Sequence, residues 1–207
     1  RVPVPSGALA AAREGREGLG EERVAAGWRL ACLARAEGDA ALEVEEWRHP
    51  ILGDETPFEF TPRDGLGVAV DLGTTTLVAQ LVDLGRGAVL GVETALNAQA
   101  RFGSDLMTRV EAALAGEPLG VVVRDQVGQL VSSLLEGNAV APGGLARVVL
   151  VGNTAMHHLF GGLDVAPLAA YPFETPSPGP LSWRAEALGW SRAARADVAF
   201  LPCLGGF

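Results

Sequence analysis

A polar step separates two apolar runs in GVAVDLGTTTLVAQLVDL, residues 67–84. The step contains Asp71, Gly73, Thr74, Thr75 and Thr76. A glycine at a turn lets the backbone approach a ligand, and neighbouring hydroxyl residues offer donors to phosphate oxygens. The acid cannot bind phosphate, but it can hold Mg²⁺ through water, because magnesium keeps most of its hydration shell. The step therefore suits a magnesium nucleotide, and an ordinary turn with β-favouring threonines is the structural alternative.

A second candidate site follows the apolar run 148–151, where Gly152, Asn153 and Thr154 precede a predicted helix. Crevices at the carboxyl ends of strands collect ligands, and free N–H groups at a helix start attract anions. We interpret these three residues as part of a nucleotide cleft, which they either line or use to contact phosphate. The alternative is an ordinary helix cap formed by Asn153 or Thr154.

The histidines and cysteines offer weaker candidates. His157 and His158 are adjacent on the predicted helix, so they point about 100° apart and are not expected to share a metal from one face. We interpret both as structural residues, and Cys203 as a packing residue. The other cysteine, Cys32, could be a small buried residue too. Two cysteines so far apart in sequence form no disulfide framework, which favours a reducing cytoplasm.

Composition excludes several classes of function. The net charge is −9, and all 16 basic residues are arginine. An acidic balance argues against nucleic acid as the main partner, because binding to a phosphate backbone needs a basic stripe. No apolar run approaches the roughly 20 residues of a membrane span, and there is no signal peptide. We therefore expect a cytoplasmic protein that contacts neither nucleic acid nor membrane.

Apolar periodicity and turn residues predict the elements that position these sites. The predicted strands are 67–71, 76–84, 88–95, 148–151 and 198–201, and the predicted helices are 105–115, capped by Ser104, 119–136 and 154–160. Three meandering strands followed by alternating helices and strands predict an α/β fold with a mixed sheet. Upstream, we predict a helix at 20–26 and strands at 29–35 and 41–45, with Gly38-Asp39 as their hairpin turn.

The polar step and its flanking strands resemble the first phosphate motif of the actin-like ATPase superfamily, which includes acetate and sugar kinases, heat-shock chaperones and actin. Three further strings narrow the resemblance: LNAQARFGSDLMTRV (96–110), VVLVGNTAMHHLFGGLDVAPLAAYPF (148–173) and FLPCLGGF (200–207). They resemble the reductive activators of corrinoid proteins, ferredoxin-linked ATPases that restore inactive cobalamin enzymes. In the first string, Asn97, Gln99, Arg101 and Asp105 either order the cleft or cap the following helix.

The resemblance implies three parts. Residues 1–47 would be the C-terminal remnant of a β-grasp 2Fe–2S ferredoxin domain, 48–66 a linker, and 67–207 the first lobe of an actin-like, ribonuclease-H-like ATPase. The string GWRLAC is similar to the end of a plant-type ferredoxin, in which Cys32 matches the fourth cluster ligand. The other three ligands, a C-x4-C-x2-C loop, have no counterpart before residue 32, so we expect that role only in a longer protein.

The function implied by the resemblance is ATP-dependent reductive activation of a corrinoid protein. Asp71 would hold magnesium through water, Gly73 to Thr76 would cradle the phosphates, and no catalytic residue is assigned. The implied partners are a corrinoid protein or corrinoid-dependent methyltransferase, an electron donor and a second copy in a homodimer. The cofactors would be ATP, magnesium and, in the longer protein, a 2Fe–2S cluster.

Two other functions stay open. One is an acetate- or sugar-kinase-like phosphotransferase, which shares the polar step but has no reason to carry GWRLAC. The other is a non-enzymatic electron carrier or scaffold. Both chain ends look cut, and a second phosphate motif and the adenosine pocket are expected in a second lobe beyond Phe207. We therefore expect negligible ATP hydrolysis by residues 1–207 alone.

Overall fold

The computed structural model describes residues 2–3, 6–11, 21–29, 34–41, 60–175 and 177–203. Contacts between residues divide the chain into a unit of Arg1–Asp54 and a unit of Glu55–Phe207. Cys32 and most of the predicted linker, 48–66, lie outside the described residues, so the cluster-ligand role and the three-part division stay predictions. Among the described helices, none has the length and hydropathy needed to cross a membrane.

Two strand pairs and one helix are described in the N-terminal unit. The elements are β1 (Val2–Pro3), β2 (Ser6–Ala11), α1 (Glu21–Ala25), β3 (Trp28–Arg29) and β4 (Ala34–Ala41). Strand β1 pairs antiparallel with β3, and β2 pairs antiparallel with β4. The predicted hairpin at Gly38-Asp39 is wrong, because β4 continues through both residues. The register shifts between Gly7 and Leu9 of β2, so the extra residues of β4 form a bulge instead of a turn.

The second unit is built on a six-stranded mixed sheet. Its strands are β5 (Leu66–Leu72), β6 (Thr76–Asp83), β7 (Ala88–Leu96), β8 (Leu145–Gly152), β9 (Leu181–Arg184) and β10 (Asp197–Phe200). Their order across the sheet is β7-β6-β5-β8-β10-β9. Strands β5, β6 and β7 form the antiparallel meander, β8 runs parallel to β5, and β10 runs parallel to β8. The predicted α/β fold with a mixed sheet is confirmed.

Alternation of apolar and polar residues explains the central strands. On β5, Val68, Val70 and Leu72 are buried while the intervening Ala69 and Asp71 are exposed. Strand β6 likewise buries every second residue, because successive side chains of a strand point to opposite faces. Most observed strand ends lie within one residue of the predicted ones, which is ordinary variation of element ends. Strand β8 is the exception, because it begins at Leu145, three residues before the predicted start.

Among its described residues, the second unit has three α-helices: α2 (Leu106–Leu114), α3 (Leu119–Gly137) and α4 (Thr154–Gly161). Helix α3 packs on β6, β7 and α4, and its buried residues recur at helical spacing. The prediction that Ser104 caps α2 is wrong. Asp105 is the cap, because its carboxylate accepts from Thr108 N–H and the Thr108 side chain hydrogen-bonds back to the Asp105 backbone.

Strand β9 was not predicted from the sequence. It has four residues and pairs antiparallel with β10 at the edge of the sheet. Four residues carry too little periodicity to distinguish a strand from a loop, and the preceding stretch is rich in proline. Short 3₁₀ helices at Ala98–Arg101, Ala166–Leu168, Ala185–Leu188 and Ser191–Ala193 complete the connections.

Candidate phosphate-binding site

The turn between β5 and β6 lies at the carboxyl end of β5. The Gly73 N–H donates to Thr76 O over 3.1 Å and closes the turn. A Cβ built on Gly73 would lie 2.5 Å from that same carbonyl oxygen, so no residue with a side chain fits without moving the backbone. Thr74 is half-buried and Thr75 is exposed, which leaves the outer surface of the turn accessible.

The two predicted site segments are neighbours because β5 and β8 are adjacent parallel strands, whose carboxyl ends lie side by side. Asp71 pairs with Val151, and Leu72 pairs with Gly152. A Cβ on Gly152 would lie 2.8 Å from Leu72 O, so glycine permits this close approach of the two strand ends. Asp71 is exposed near these strand ends, as a carboxylate that holds a hydrated magnesium ion must be.

Asn153 connects the turn to the start of α4. Its Nδ2 donates to the Thr74 hydroxyl over 2.9 Å, and its Oδ1 accepts from Met156 N–H over 3.0 Å. Asn153 is therefore both the cap of α4 and a neighbour of the turn, so the helix-cap interpretation is confirmed and the role in a nucleotide cleft stays a prediction. Thr154 is the first residue of α4, and its side chain is buried, unlike that of Asn153.

Two buried polar side chains hold the turn from inside the protein. Asn97 Nδ2 donates to Gly73 O over 2.9 Å, and Asn97 N–H donates to Thr75 O over 2.8 Å. Arg109 Nη1 donates to Thr74 O, while its Nε donates to Gly103 O over 2.9 Å. Three consecutive carbonyl groups of the turn thus face inward and are satisfied by protein donors.

This arrangement decides what the turn can bind. A phosphate is repelled by carbonyl oxygens and attracted by N–H and O–H groups. With the carbonyls of Gly73, Thr74 and Thr75 bound from inside, the exposed side of the turn is left to hydroxyl groups. The fixed positive charge of the Arg109 guanidinium lies directly behind the turn and favours an anion in front of it.

The sequence did not single out Arg109, although it stands in the string 96–110. Arginine is almost never fully buried unless it is paired, so its ordinary expectation on a helix is exposure. Here it is 1% exposed, and desolvation lowers its pKa while the nearby Asp105 carboxylate opposes that effect. The available signal was its position four residues after the cap Asp105, the spacing at which two side chains of a helix interact.

The other polar residues of that string have separate tasks. Gln99 is buried, and its Nε2 donates to Leu119 O over 3.0 Å. Its backbone N–H donates to Asn97 Oδ1 over 2.9 Å, which orients the Asn97 amide toward Gly73. The Arg101 guanidinium stacks on the ring of Phe102 at 4.7 Å and is exposed. Of these residues, Asn97 orders the turn directly and Gln99 supports it.

Comparisons with known proteins found a matching family model, a similar curated protein and similar solved structures. A family model described as the RACo middle region matches residues 66–207. The corrinoid activation enzyme RamQ of Eubacterium limosum is 27% identical over 175 residues, which are 80% of this chain and 30% of RamQ. A solved structure described as a reductive activator for corrinoid, iron-sulfur protein is 21% identical with a TM-score of 0.61, covering 97% of this chain and 48% of that one.

An archaeal actin homolog, Ta0583, is 13% identical with a TM-score of 0.35, covering 65% of this chain and 49% of that one. The likeness to the solved reductive activator shows that the two chains share a fold. The present chain spans 30% of RamQ and 48% of the solved activator, so it corresponds to part of each.

Proposed function

The chain belongs to the RACo middle-region family, and we propose that it provides the phosphate-binding lobe of an ATP-dependent reductive activator of corrinoid proteins. RamQ is described as a corrinoid activation enzyme, and the solved relative as a reductive activator. These descriptions support the class of reaction and a corrinoid protein as partner. The client protein, the electron donor and a homodimeric state are parts of the same proposal.

The observation that carries the proposal is the orientation of the turn between β5 and β6. Its carbonyl groups are bound from inside by Asn97 and Arg109, which leaves the threonine hydroxyl groups to face phosphate oxygens. We assign Gly73, Thr74, Thr75 and Thr76 to the phosphates. Gly152, Asn153 and Thr154 form the neighbouring wall where β8 ends and α4 begins.

Asp71 fits the magnesium site that a nucleotide needs. Its carboxylate is exposed beside the turn and forms no salt bridge with another described residue. A carboxylate in this position would hold water molecules of a hydrated magnesium ion, and the ion would neutralise phosphate charge. Asp71 thus positions the metal without contacting the phosphates.

Nucleotide binding can assist electron transfer only through differential affinity for two conformations of the complex. The described part of the chain offers a path for this coupling. Thr74 would respond to phosphate, and its hydroxyl accepts from Asn153, which caps α4. Movement of the turn would therefore shift the start of that helix through Asn153. A 2Fe–2S cluster, bound in the longer protein with Cys32 as one ligand, would supply the electron.

The test uses the longer protein with its corrinoid partner. ATP-dependent formation of reduced corrinoid, followed by its absorption spectrum, is expected for the wild type. Asp71→Asn should weaken magnesium-dependent ATP binding roughly 10–100-fold, the range typical of residues that orient a metal's ligands. Asp64→Asn removes an equally exposed carboxylate outside the site and should leave binding unchanged.

Three outcomes would contradict the proposal. Corrinoid reduction that proceeds equally without nucleotide would leave only an electron carrier. Phosphoryl transfer to acetate or a sugar would favour a kinase. Unchanged magnesium-ATP affinity in Asp71→Asn, with Asp64→Asn also unchanged, would remove Asp71 from the site.

A further inference from the structure

We propose that His157, His158 and Cys203 form a buried zinc site, independent of the proposed nucleotide function. All three side chains are buried, and one ligand atom from each lies within 4.8 Å of the other two. The two histidines are adjacent on α4, and Cys203 follows β10. The sequence favoured structural roles for them, because neither the helical spacing nor the distance along the chain predicted this convergence.

Hydrogen bonds determine which imidazole nitrogens carry lone pairs. His158 Nδ1 lies 2.8 Å from Thr154 O, and a carbonyl oxygen can only accept, so Nδ1 carries the proton. The bare nitrogen of that ring is Nε2, which faces the Thr175 hydroxyl. His157 Nε2 lies 3.0 Å from Gly179 O by the same logic, which leaves Nδ1 as its bare nitrogen.

His157 Nδ1 is the strongest indication that the cluster binds something. The side chain is 0% exposed, yet this nitrogen has no hydrogen-bond partner among the described residues. Buried polar atoms in native proteins are nearly always satisfied by protein, water or an ion. A lone pair in a dry environment, beside a second imidazole and a thiol, is well suited to a metal ion.

The surroundings of both rings match those of metal-bound histidines. A histidine that binds a metal usually donates its other N–H to a carbonyl or carboxylate, which fixes the ring and its tautomer. His157 does so to Gly179 O and His158 to Thr154 O. Burial lowers the pKa of both imidazoles, so both are neutral, as ligands must be.

Zinc is the metal that this donor set favours. Two imidazoles and one thiolate bind Zn²⁺ at about 2.0–2.3 Å in tetrahedral geometry. Closing the cluster around the ion requires the three ligand atoms to approach one another and the Thr175 hydroxyl to leave His158 Nε2. That hydroxyl or a water molecule would take the fourth position. The Cys203 thiol loses its proton on binding.

The proposed ion would connect separate parts of the second unit. Cys203 N–H already donates to Pro178 O over 3.1 Å, so the segment 177–179 lies against the end of β10. His157 binds the same segment through Gly179 O. Zinc coordination would link this segment and the end of β10 to α4. That helix begins at the candidate phosphate site.

The two cysteines provide a matched test. Residues 1–207 are loaded with excess zinc, freed of unbound metal and analysed for metal content. We expect about one zinc per chain in the wild type and in Cys32→Ser, and at least a roughly tenfold weaker affinity in Cys203→Ser. Cobalt substitution should give a thiolate-to-cobalt charge-transfer band that is absent from Cys203→Ser. His157→Gln is the second variant, in case Cys203→Ser fails to fold.

Circular dichroism reports whether each variant is folded, and thermal unfolding reports whether zinc stabilises it. Zinc should raise the Tm of the wild type and of Cys32→Ser, but not that of a folded Cys203→Ser or His157→Gln. The proposal is overturned if the wild type retains no metal. It is equally overturned if Cys203→Ser and His157→Gln retain as much as the wild type, or if only Cys32→Ser loses it.

Discussion

Asn153 Nδ2 donates to the Thr74 hydroxyl over 2.9 Å, and this bond joins residues 79 positions apart in the sequence. The bond runs from the cap of α4 to the turn between β5 and β6. It shows that the two segments predicted to contact a nucleotide are neighbours in the structure. The same amide caps a helix, so stability and site geometry depend on one side chain.

The first prediction concerns this bond. Asn153→Ala should destabilise the protein by about 0.5–2 kcal/mol through loss of the cap, and Thr74→Val by about 0.5–1.5 kcal/mol. Because the two side chains contact each other, the double variant should show a coupling of at least about 0.5 kcal/mol. Urea unfolding of the wild type, the two single variants and the double variant measures this coupling energy.

The control for that coupling pairs Thr74→Val with Asn138→Ala. Asn138 ends α3 and donates to Leu134 O, without a contact to the turn. The effects of these two substitutions on the free energy of unfolding should be additive. If the Asn138–Thr74 pair showed the same coupling energy as the Asn153–Thr74 pair, the Asn153–Thr74 bond would contribute nothing specific.

The second prediction concerns the turn glycine. Gly73→Ala should destabilise the protein by more than about 1 kcal/mol, because the new Cβ would meet the Thr76 carbonyl at 2.5 Å. Gly137→Ala, at the last residue of α3, has nothing within 4 Å of its Cβ and should be neutral or stabilising by up to about 1 kcal/mol. Thermal unfolding compares the two, and a tolerated Gly73→Ala would contradict the observed turn geometry.

The third prediction concerns the buried arginine. Arg109→Met leaves the carbonyls of Thr74 and Gly103 without their donor and should destabilise the protein by about 1.5–3 kcal/mol. Arg109→Lys should rescue little, because one ammonium cannot replace a planar group that reaches two carbonyls. Urea unfolding provides the measurement.

Arg147→Met is the matched control for the arginine variants, since Arg147 is exposed on β8. It should change stability by no more than about 0.5 kcal/mol. Full rescue by lysine would mean that charge alone, rather than the double contact, is what Arg109 contributes.

The fourth prediction concerns pH. The hydrogen bond from Thr108 N–H lowers the pKa of Asp105 below its ordinary value. A carboxyl group whose pKa is lower in the folded state stabilises the protein above its unfolded pKa of about 3.9, and this contribution is lost as pH falls through the folded pKa. The difference in the free energy of unfolding between wild type and Asp105→Ser should therefore be constant from about pH 5 to about pH 7. It should shrink as the pH falls further.

Urea midpoints at several pH values check this expectation. Serine is a good cap without a titrating group, so it retains the helix start while removing the proton-linked part. A difference that stays the same from neutral to acid pH would show that the charge of Asp105 does not contribute.

The central elements were predictable because their signals are local. Alternation on β5 and β6 and helical spacing on α3 are set by residues a few positions apart. Hence the strands predicted at 67–71 and 76–84 and the helix predicted at 119–136 are confirmed within two residues. The cap of α2 was misplaced by one residue, since Ser104 and Asp105 are both good caps and only the contact with Thr108 distinguishes them.

The sequence by itself determined the turn: its glycine, its hydroxyl groups and the acid before it form a local pattern that predicts both a tight reversal and an affinity for phosphate. Only the tertiary structure decided what surrounds it. The parallel pairing of β5 with β8 brings Asn153 to Thr74, packing of α2 buries Arg109 behind the turn, and the end of β10 brings Cys203 to the histidines of α4. Such contacts depend on the order of strands in the sheet, which no short-range pattern encodes.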